Sequence, residues 1–464
     1  MGTEKSVDWR TTELPTVAVV EPSAGKPRAK PLRLSSERLQ AWGWLSMLSL
    51  VDQGLTSGAS FGVNLLLARW MAPNVYGAFA VAFAGFLFVS GFHNVLLLEP
   101  MSVMGPSRYT DKLPAYFRAQ IVGHLVLVGP LSAMLLFGDL ILWRTDPSSP
   151  LVSAVLAAAL ALPFLLLAWM VRRMCYIVQR PVAAALGSGF YFVFVAMGLF
   201  GLGYYNRLGP FTAFGLMGTG SVISAWLVLF RLGLLKPEPY SGDGVSWRKV
   251  LRENWDYGRW LVGSTLLFSV SSQTQTFLVA GFLGLTGAGI LRALQLPALV
   301  MMQIVTAASL LALPSFALEY DHSRLDRLVA KLRILSLLLG GIGFAYVMLL
   351  FVAAGPLEHH LYAGRFGGYE NLMCLLAISP FLMGINAGPT LSIRAIQRPN
   401  LDLLVNLIAA PVGLISGLIF IPKWGIWGAA GSSALTSLAI LVGNSAFLRR
   451  AIAHRTPSAD GSSQ

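Results

Sequence analysis

Charge is scarce in this chain. Asp, Glu, Lys and Arg make up only 12% of its 464 residues, about half of what an ordinary soluble protein carries. Acidic residues are the scarcest, 21 against 34 Lys and Arg, which leaves a formal net charge of +13. That excess does not build a nucleic-acid surface. The basic residues are scattered between apolar segments and form no patch, the pattern of topology determinants. Cysteine is nearly absent. Cys175 and Cys374 lie far apart, without metal-ligand spacing, and read as inert apolar residues with no disulfide. Glu358, His359 and His360 form the only compact metal-like group. No third ligand follows at a recognisable spacing, so the group reads as a solvated loop and no metal or cofactor is expected. No GxxxxGK[ST] loop is present, which excludes the usual route to ATP. The first forty residues hold no apolar run, which excludes a secretory signal. Residues 1–40 are polar, basic and Pro-containing, the composition of a disordered tail. The tail at 450–464 is short and polar, and neither tail has room for a catalytic domain.

Apolar residues are what the chain has instead: 55% of the total. Stretches such as 151–170 and 261–291 contain no charged side chain. About 20 apolar residues cross a bilayer core as a helix. Backbone groups in lipid must be satisfied internally, so spans this apolar are helical. A barrel would show short alternating segments. Twelve spans are predicted: 43–69, 74–102, 115–137, 150–171, 183–203, 211–231, 257–283, 287–316, 334–354, 370–393, 400–421 and 425–447. The longest internal gap follows the sixth span and holds Pro237, Pro239, Gly242 and Gly244, a linker composition. The expected fold is an all-α polytopic membrane protein of two six-helix bundles, 41–236 and 257–449, joined by a cytoplasmic linker at 237–256.

Orientation follows from counting. With the N-terminus in the cytoplasm, 28 Lys and Arg fall on cytoplasmic tails and loops, against five outside: Arg69, Arg144, Arg207, Arg365 and Lys423. The one that remains, Arg292, lies inside the eighth span, away from its ends in sequence. The positive-inside rule then places both termini in the cytoplasm.

The two halves echo each other. At an offset of 212, Gln53, Ser57, Ser60 and Asn64 meet Thr265, Ser269, Ser272 and Thr276. The spacing i, i+4, i+7, i+11 puts each set on one helix face. At the same offset Val75-Tyr76-Gly77 meets Gly287-Ala288-Gly289, read as a tight turn. Val178-Gln179-Arg180-Pro181 matches Ile396-Gln397-Arg398-Pro399, and Gly215-Leu216-Met217-Gly218 matches Gly425-Ile426-Trp427-Gly428. Six helices separate the copies, so both halves enter the membrane in the same direction. Such parallel repeats share an axis along the membrane normal and place a substrate site between the halves.

The layout and two motifs resemble the multidrug/oligosaccharidyl-lipid/polysaccharide (MOP) exporter superfamily, and within it the Wzx-type flippases of polysaccharide repeat units. The first motif is Leu67-Ala68-Arg69-Trp70-Met71-Ala72-Pro73-Asn74-Val75-Tyr76-Gly77. The second is Gln397-Arg398-Pro399-Asn400, an apolar span, then Gly425-Ile426-Trp427-Gly428-Ala429-Ala430. The resemblance covers residues 40–450 at the level of layout. It implies a V-shaped pair of bundles around a central cavity lined by the first, second, seventh and eighth helices. It further implies a bacterial inner-membrane protein that moves undecaprenyl-diphosphate-linked oligosaccharide from the cytoplasmic to the outer leaflet. Polysaccharide polymerase and chain-length proteins are the partners it suggests, and membrane lipids are its surroundings.

The candidate substrate-binding residues are Arg292, with Gln295 and Gln303 near its face, and the two polar stripes. A cation inside a span is a functional-site hypothesis by default. Its planar fork of donors suits a diphosphate or an acidic sugar, while the plain alternative is an arginine snorkelling to the outer interface. Asp52 and Glu99 are the candidate H+- or Na+-coupling carboxylates, and Asp52 is also a candidate partner for Arg292. Arg118, Arg172, Arg173, Arg394 and Arg398 cluster on the cytoplasmic side, where they could recruit the lipid diphosphate, although topology setting explains them without further assumption. Asn386, between Gly384 and Pro389, reads as a helix break or kink. No catalytic residue is expected, because a membrane enzyme needs loop-borne acids, bases or a metal outside the bilayer. The competing reading is a cation-coupled drug antiporter of the MATE type on the same fold.

Overall fold

The computed structural model describes residues 36–234, 245–321, 325–395 and 399–453. The chain divides into two compact units, Met1–Ser46 and Met47–Gln464. All packing below belongs to the second. The expected tails fall outside the described residues except for 36–40 and 450–453, which are helical.

Every regular element among the described residues is a helix. In chain order these are α1 (Ser36–Trp70), α2 (Pro73–Arg108), α3 (Leu113–Thr145), α4 (Pro150–Ile177), α5 (Pro181–Tyr204) and α6 (Pro210–Arg231). The run Trp247–Asp321 breaks at Gly284 into α7 (247–283) and α8 (285–321). Two single helices follow, α9 (Leu325–Tyr362) and α10 (Leu372–Ala395). The run Pro399–Ala453 breaks at Gly425 into α11 (399–424) and α12 (426–453). Nine helices among the described residues are long and apolar enough to cross a membrane, and two of those are the broken runs. With the breaks counted these make eleven, and α1, which is not among them, brings the helices to twelve at the predicted places.

Glycine and proline set the boundaries. Gly284 (φ 72°, ψ −176°) and Gly425 (φ 59°, ψ −137°) adopt backbone angles that are close to glycine-only. Pro73, Pro150, Pro181 and Pro210 open their helices, where the missing N–H costs nothing. Inside α2, Pro100 cannot donate to the preceding turn. The helix passes through a π turn at Asn94–Leu98 just before it, the adjustment expected where the backbone ladder is interrupted.

The linker is shorter than predicted. Residues 235–244 lie outside the described residues, but α7 begins at Trp247, so the last ten predicted linker positions are helical. Val250, Asn254 and Gly258 share one face and are all buried. Asn254 and Gln120 of α3 exchange side-chain hydrogen bonds at 2.9 and 3.3 Å. A methyl group on Gly258 would lie 2.8 Å from the Val95 carbonyl oxygen. Nearby, Tyr109 donates to Glu253 at 2.8 Å.

At the opposite end, here called the outer end after the charge count, the halves meet by close backbone approach. Gly77 and Gly289 lie in the first turns of α2 and α8 and not in a tight turn, which corrects the reading of that echo. A methyl group on Gly77 would collide with the Leu285 carbonyl oxygen, and one on Gly289 with that of Pro73. These contacts are mirror-related in sequence, since positions 73 and 77 map onto 285 and 289 at the offset of 212. The pseudo-twofold axis therefore passes between these two glycines. Two arginines add to the seal. Arg69 donates to the backbone carbonyls of His360 and Leu361, and Arg365 donates to that of Met71 at 2.8 Å. Each neutralises exposed carbonyls at a helix C-terminus in the other half.

Candidate functional site

Behind this seal the halves part around a cavity of about 910 Å³. Its walls come from α1, α2 and α4 on one side and from α7, α8, α10, α11 and α12 on the other. Eight predicted residues line it: Ser57, Ser60, Asn64, Ser272, Thr276, Arg292, Gln295 and Gln303.

Arg292 stands on this wall. Its Nε donates to Asn64 Oδ1 at 3.3 Å, and its guanidinium lies 5.8 Å from the centre of the Phe83 ring. Tyr76 donates to the same Asn64 oxygen at 3.4 Å. The amide of α1 thus orients the arginine of α8 across the interface between the halves. All three contacts are neutral. No carboxylate pairs with Arg292 among the described residues, and none is among the residues lining the cavity.

Three predicted cavity residues lie elsewhere. Thr265 and Ser269 stand where α7 crosses Gly91 of α2, so close that a methyl group there would lie 3.0 Å from both side chains. They are packing residues, because small hydroxyls let helices approach. Gln53 is exposed and accepts a 3.0 Å hydrogen bond from Arg172. A helical stripe faces one direction, but its partner changes along its length, and here only the later turns of α1 and α7 reach the cavity.

Asp52 does not pair with Arg292. It is fully buried and forms an ion pair with Arg172 of α4 at 2.7 Å. Ser188 of α5 donates to the other oxygen, Oδ1, at 2.5 Å, and Tyr176 donates to Oδ2, the oxygen that Arg172 holds. Asp52 sits behind the wall, and Arg172 is the part of the cluster that reaches the cavity. On sequence alone, Arg172 reads first as a topology setter. The pairing links positions 120 residues apart, so the only local signal was its place one turn after Trp169, another lining residue. Glu99 is half-buried beside the π turn, where Asn94 donates to it at 3.3 Å, and it does not line the cavity.

Other expectations change as well. Asn386 breaks nothing: α10 runs through it, and it accepts a 3.1 Å hydrogen bond from Asn444. Glu358 is not solvated. It is buried and accepts the Phe366 backbone N–H at 2.8 Å, which holds the turn after α9. No group of three metal-ligating side chains occurs among the described residues. Arg398 and the rest of the 396–398 echo lie outside the described residues. Sequence reading also missed the polar wall supplied by Ser379, Ser433, Thr436 and Ser437. A second missed feature is a buried imidazole pair in the first bundle, His93 Nε2 to His124 Nδ1 at 3.0 Å.

No protein-family profile and no curated protein matches the sequence. Solved structures do. The inward-facing conformation of a multidrug resistance MATE family transporter of the MOP superfamily superposes with a TM-score of 0.69 at 12% identity, over 88% of this chain and 98% of that one. The lipid II flippase MurJ, in an inward closed conformation, gives 0.67 at 13% identity, over 88% and 87%. A MOP superfamily transporter from Pyrococcus furiosus, whose binding pocket is described as having reverse polarity, gives 0.63 at 12% identity, over 89% and 96%. At these identities the likeness is one of fold: a multi-pass, all-helical membrane protein with the architecture of MOP transporters.

Proposed function

We propose that this chain is a bacterial inner-membrane flippase, with both termini in the cytoplasm. It carries undecaprenyl-diphosphate-linked oligosaccharide, a polysaccharide or O-antigen repeat unit, from the cytoplasmic to the outer leaflet by alternating access. The observation that carries this reading is Arg292: a cation on the wall of the cavity between the halves, with neutral partners only. An unpaired charge at membrane depth costs about 2.5–3.5 kcal/mol even on insertion scales. A diphosphate or an acidic sugar supplies the missing counter-charge, and an arginine fork binds such oxyanions in two-point fashion. A cationic drug meets no counter-charge here, because no carboxylate is among the described residues that line the cavity. The fold shared with a lipid II flippase supports a lipid-linked cargo. The fold shared with a MATE transporter keeps the drug antiporter as the competing reading.

Coupling to H+ or Na+ belongs to the same proposal, with Asp52 and Glu99 as its carboxylates. At Asp52 a proton or sodium ion would compete with Arg172 and release its guanidinium toward the cavity. Polysaccharide polymerase and chain-length proteins are the proposed partners, and no enzymatic step is assigned to the chain. The test is polysaccharide export in a strain deleted for the gene. The wild-type gene restores export, and Arg292→Ala inserts normally but does not. Normal export by that variant removes Arg292 from the site. Purified protein that binds cationic dyes and ignores undecaprenyl-diphosphate-linked sugar moves the assignment to the antiporter.

A further inference from the structure

The two walls of the cavity differ in aromatic content. The first-half wall carries Phe61, Phe83 and Trp169, with Leu87, Ser57, Ser60 and Asn64, beside Arg172, whereas no aromatic residue of the second half lines the cavity among the described residues. The second-half wall, apart from Arg292, draws its polar groups from neutral hydroxyls and amides, among them Ser272, Gln275, Gln295, Gln303 and Thr436. The amides both donate and accept hydrogen bonds, while the Ser272 and Thr436 hydroxyls donate to the Ser269 and Ser432 carbonyls and offer their lone pairs to the cavity. An acyl chain would displace the water that satisfies them and return no hydrogen bond, at a cost. A diphosphate accepts hydrogen bonds but cannot return them. A polyol does both, hydroxyl by hydroxyl, so the wall matches a carbohydrate.

The wall is built, and it is long. Thr436 and Gln275 are both buried, and Gly413 of α11 leaves the room they occupy: a methyl group there would lie 2.8 Å from Thr436 Oγ1 and 3.7 Å from Gln275 Nε2. Behind them Ser416 and Ser432 bond each other at 2.7 Å, and Ser432 also donates to the Gly413 carbonyl at 3.1 Å. This second layer fixes the lining groups in place. Along α8, Gln303 lies eleven residues after Arg292, about 16 Å at 1.5 Å per residue. Along α1, the partners of Arg172 and Arg292, Gln53 and Asn64, are likewise eleven residues apart. The two cations therefore stand at different depths, with the neutral wall running between those levels.

We infer that the neutral second-half wall is a carbohydrate subsite. The sugar chain lies lengthwise on Gln275, Gln295, Gln303 and Thr436, and the arginines take the anionic groups. Trp169 and Phe83, on the facing wall, give the apolar faces of the rings a surface to stack on. The link to a lipid carrier rests on the flippase reading, whereas the carbohydrate chemistry of the wall does not.

The experiment uses the full-length protein in nanodiscs and three probes: undecaprenyl diphosphate, undecaprenyl diphosphate carrying a tetrasaccharide, and the free tetrasaccharide. Gln303→Leu changes an exposed lining position with little risk to folding, and Thr436→Val keeps shape while removing a hydroxyl. Each is expected to weaken the glycosylated lipid about tenfold, the loss of one or two hydrogen bonds. Binding of the sugarless lipid should stay unchanged. Equal effects on both lipids, or no effect on either, overturn the subsite. If wild type binds neither lipid, the flippase reading fails, and the free tetrasaccharide then decides the subsite alone. Binding that the wall variants weaken supports it, and no binding overturns it.

Discussion

Replacing Arg172 with alanine should damage this protein more than replacing Asp52 with asparagine, although the two residues form one pair. Asp52 is fully buried, whereas the Arg172 side chain is 26% exposed, toward the cavity. Removing the cation strands a carboxylate that has only the Ser188 and Tyr176 hydroxyls left as donors. Charges about 4 Å apart attract by about 4 kcal/mol at an effective dielectric of 20. Breaking a buried pair from one side costs about 3–5 kcal/mol. Asp52→Asn instead removes the charge from the side that cannot reach water. The hydroxyls keep a partner, and Arg172 turns to the cavity. The expected loss is about 1–3 kcal/mol, that of a charge-assisted hydrogen bond. The double variant Asp52→Asn/Arg172→Ala should then be more stable than Arg172→Ala alone, because asparagine needs no cation. Thermal unfolding of the purified variants in one detergent reads all three. Equal losses in the single variants, or a double variant whose loss is the sum of the two, would refute the asymmetry. The same Asp52→Asn protein also tests coupling: an unchanged pH profile of export leaves Asp52 only its role of aiming Arg172.

Three further outcomes follow from the seal and the α7 clasp. Gly77→Ala should destabilise the outer seal by about 1–3 kcal/mol, the usual cost of overpacking, while Gly62→Ala, which meets nothing within 4 Å, should be neutral or better; comparable unfolding temperatures for both would contradict the backbone approach at Gly77. Arg69→Ala/Arg365→Ala removes both caps on the carbonyls of the other half, and a cysteine placed at Ser60 should then label faster from outside, about tenfold for every 1.4 kcal/mol lost; unchanged labelling would exclude a gating role for these contacts. Burial, followed by its bond to Glu253, pushes the Tyr109 phenol up to about 12. A raised phenol stabilises the fold below its ordinary value near 10 and loses that contribution as pH climbs through about 12, so the clasp should loosen across that window, and Tyr109→Phe should abolish the step in a spectroscopic phenol titration.

The spans were legible because hydrophobic length is a property of local sequence. The breaks at Gly284 and Gly425 fell within or beside the predicted gaps, where a helix can stop only if some residue tolerates the angles. Arg292 was legible as a lone charge in a long apolar run. What failed needed knowledge of neighbours. Thr265 and Ser269 carry the same stripe as Ser272 and Thr276, yet α2 covers the former and not the latter. Asp52 and Arg172 meet only after α1 and α4 are packed. Glu358 looked solvated because charge usually is, and it is buried because the Phe366 N–H following α9 needs an acceptor. The early start of α7 was hidden by its charges: Arg248, Lys249, Arg252, Asp256 and Arg259 are exposed, while Val250, Asn254 and Gly258 are buried and Glu253 reaches Tyr109.

The repeat explains the scaffold better than the site. Where the halves touch at the outer end, the symmetry is nearly literal: Pro73 and Gly77 do to the second half what Leu285 and Gly289 do to the first. A contact on a pseudo-twofold axis must satisfy both copies at once, so glycine is required on both sides. Away from the axis that constraint lapses. The first-half stripe supplies Asn64, which aims Arg292, while no arginine of the first half is held by its sequence counterpart Thr276 among the described residues. Arg172 is neutralised by Asp52 and Arg292 by no carboxylate among the described residues, so the two cations are unequal partners for an incoming anion. In the proposed transport cycle, rocking two equivalent bundles would need the symmetry, whereas holding a substrate with distinct ends would need its loss. The chain keeps the first at the seal and the second along the cavity.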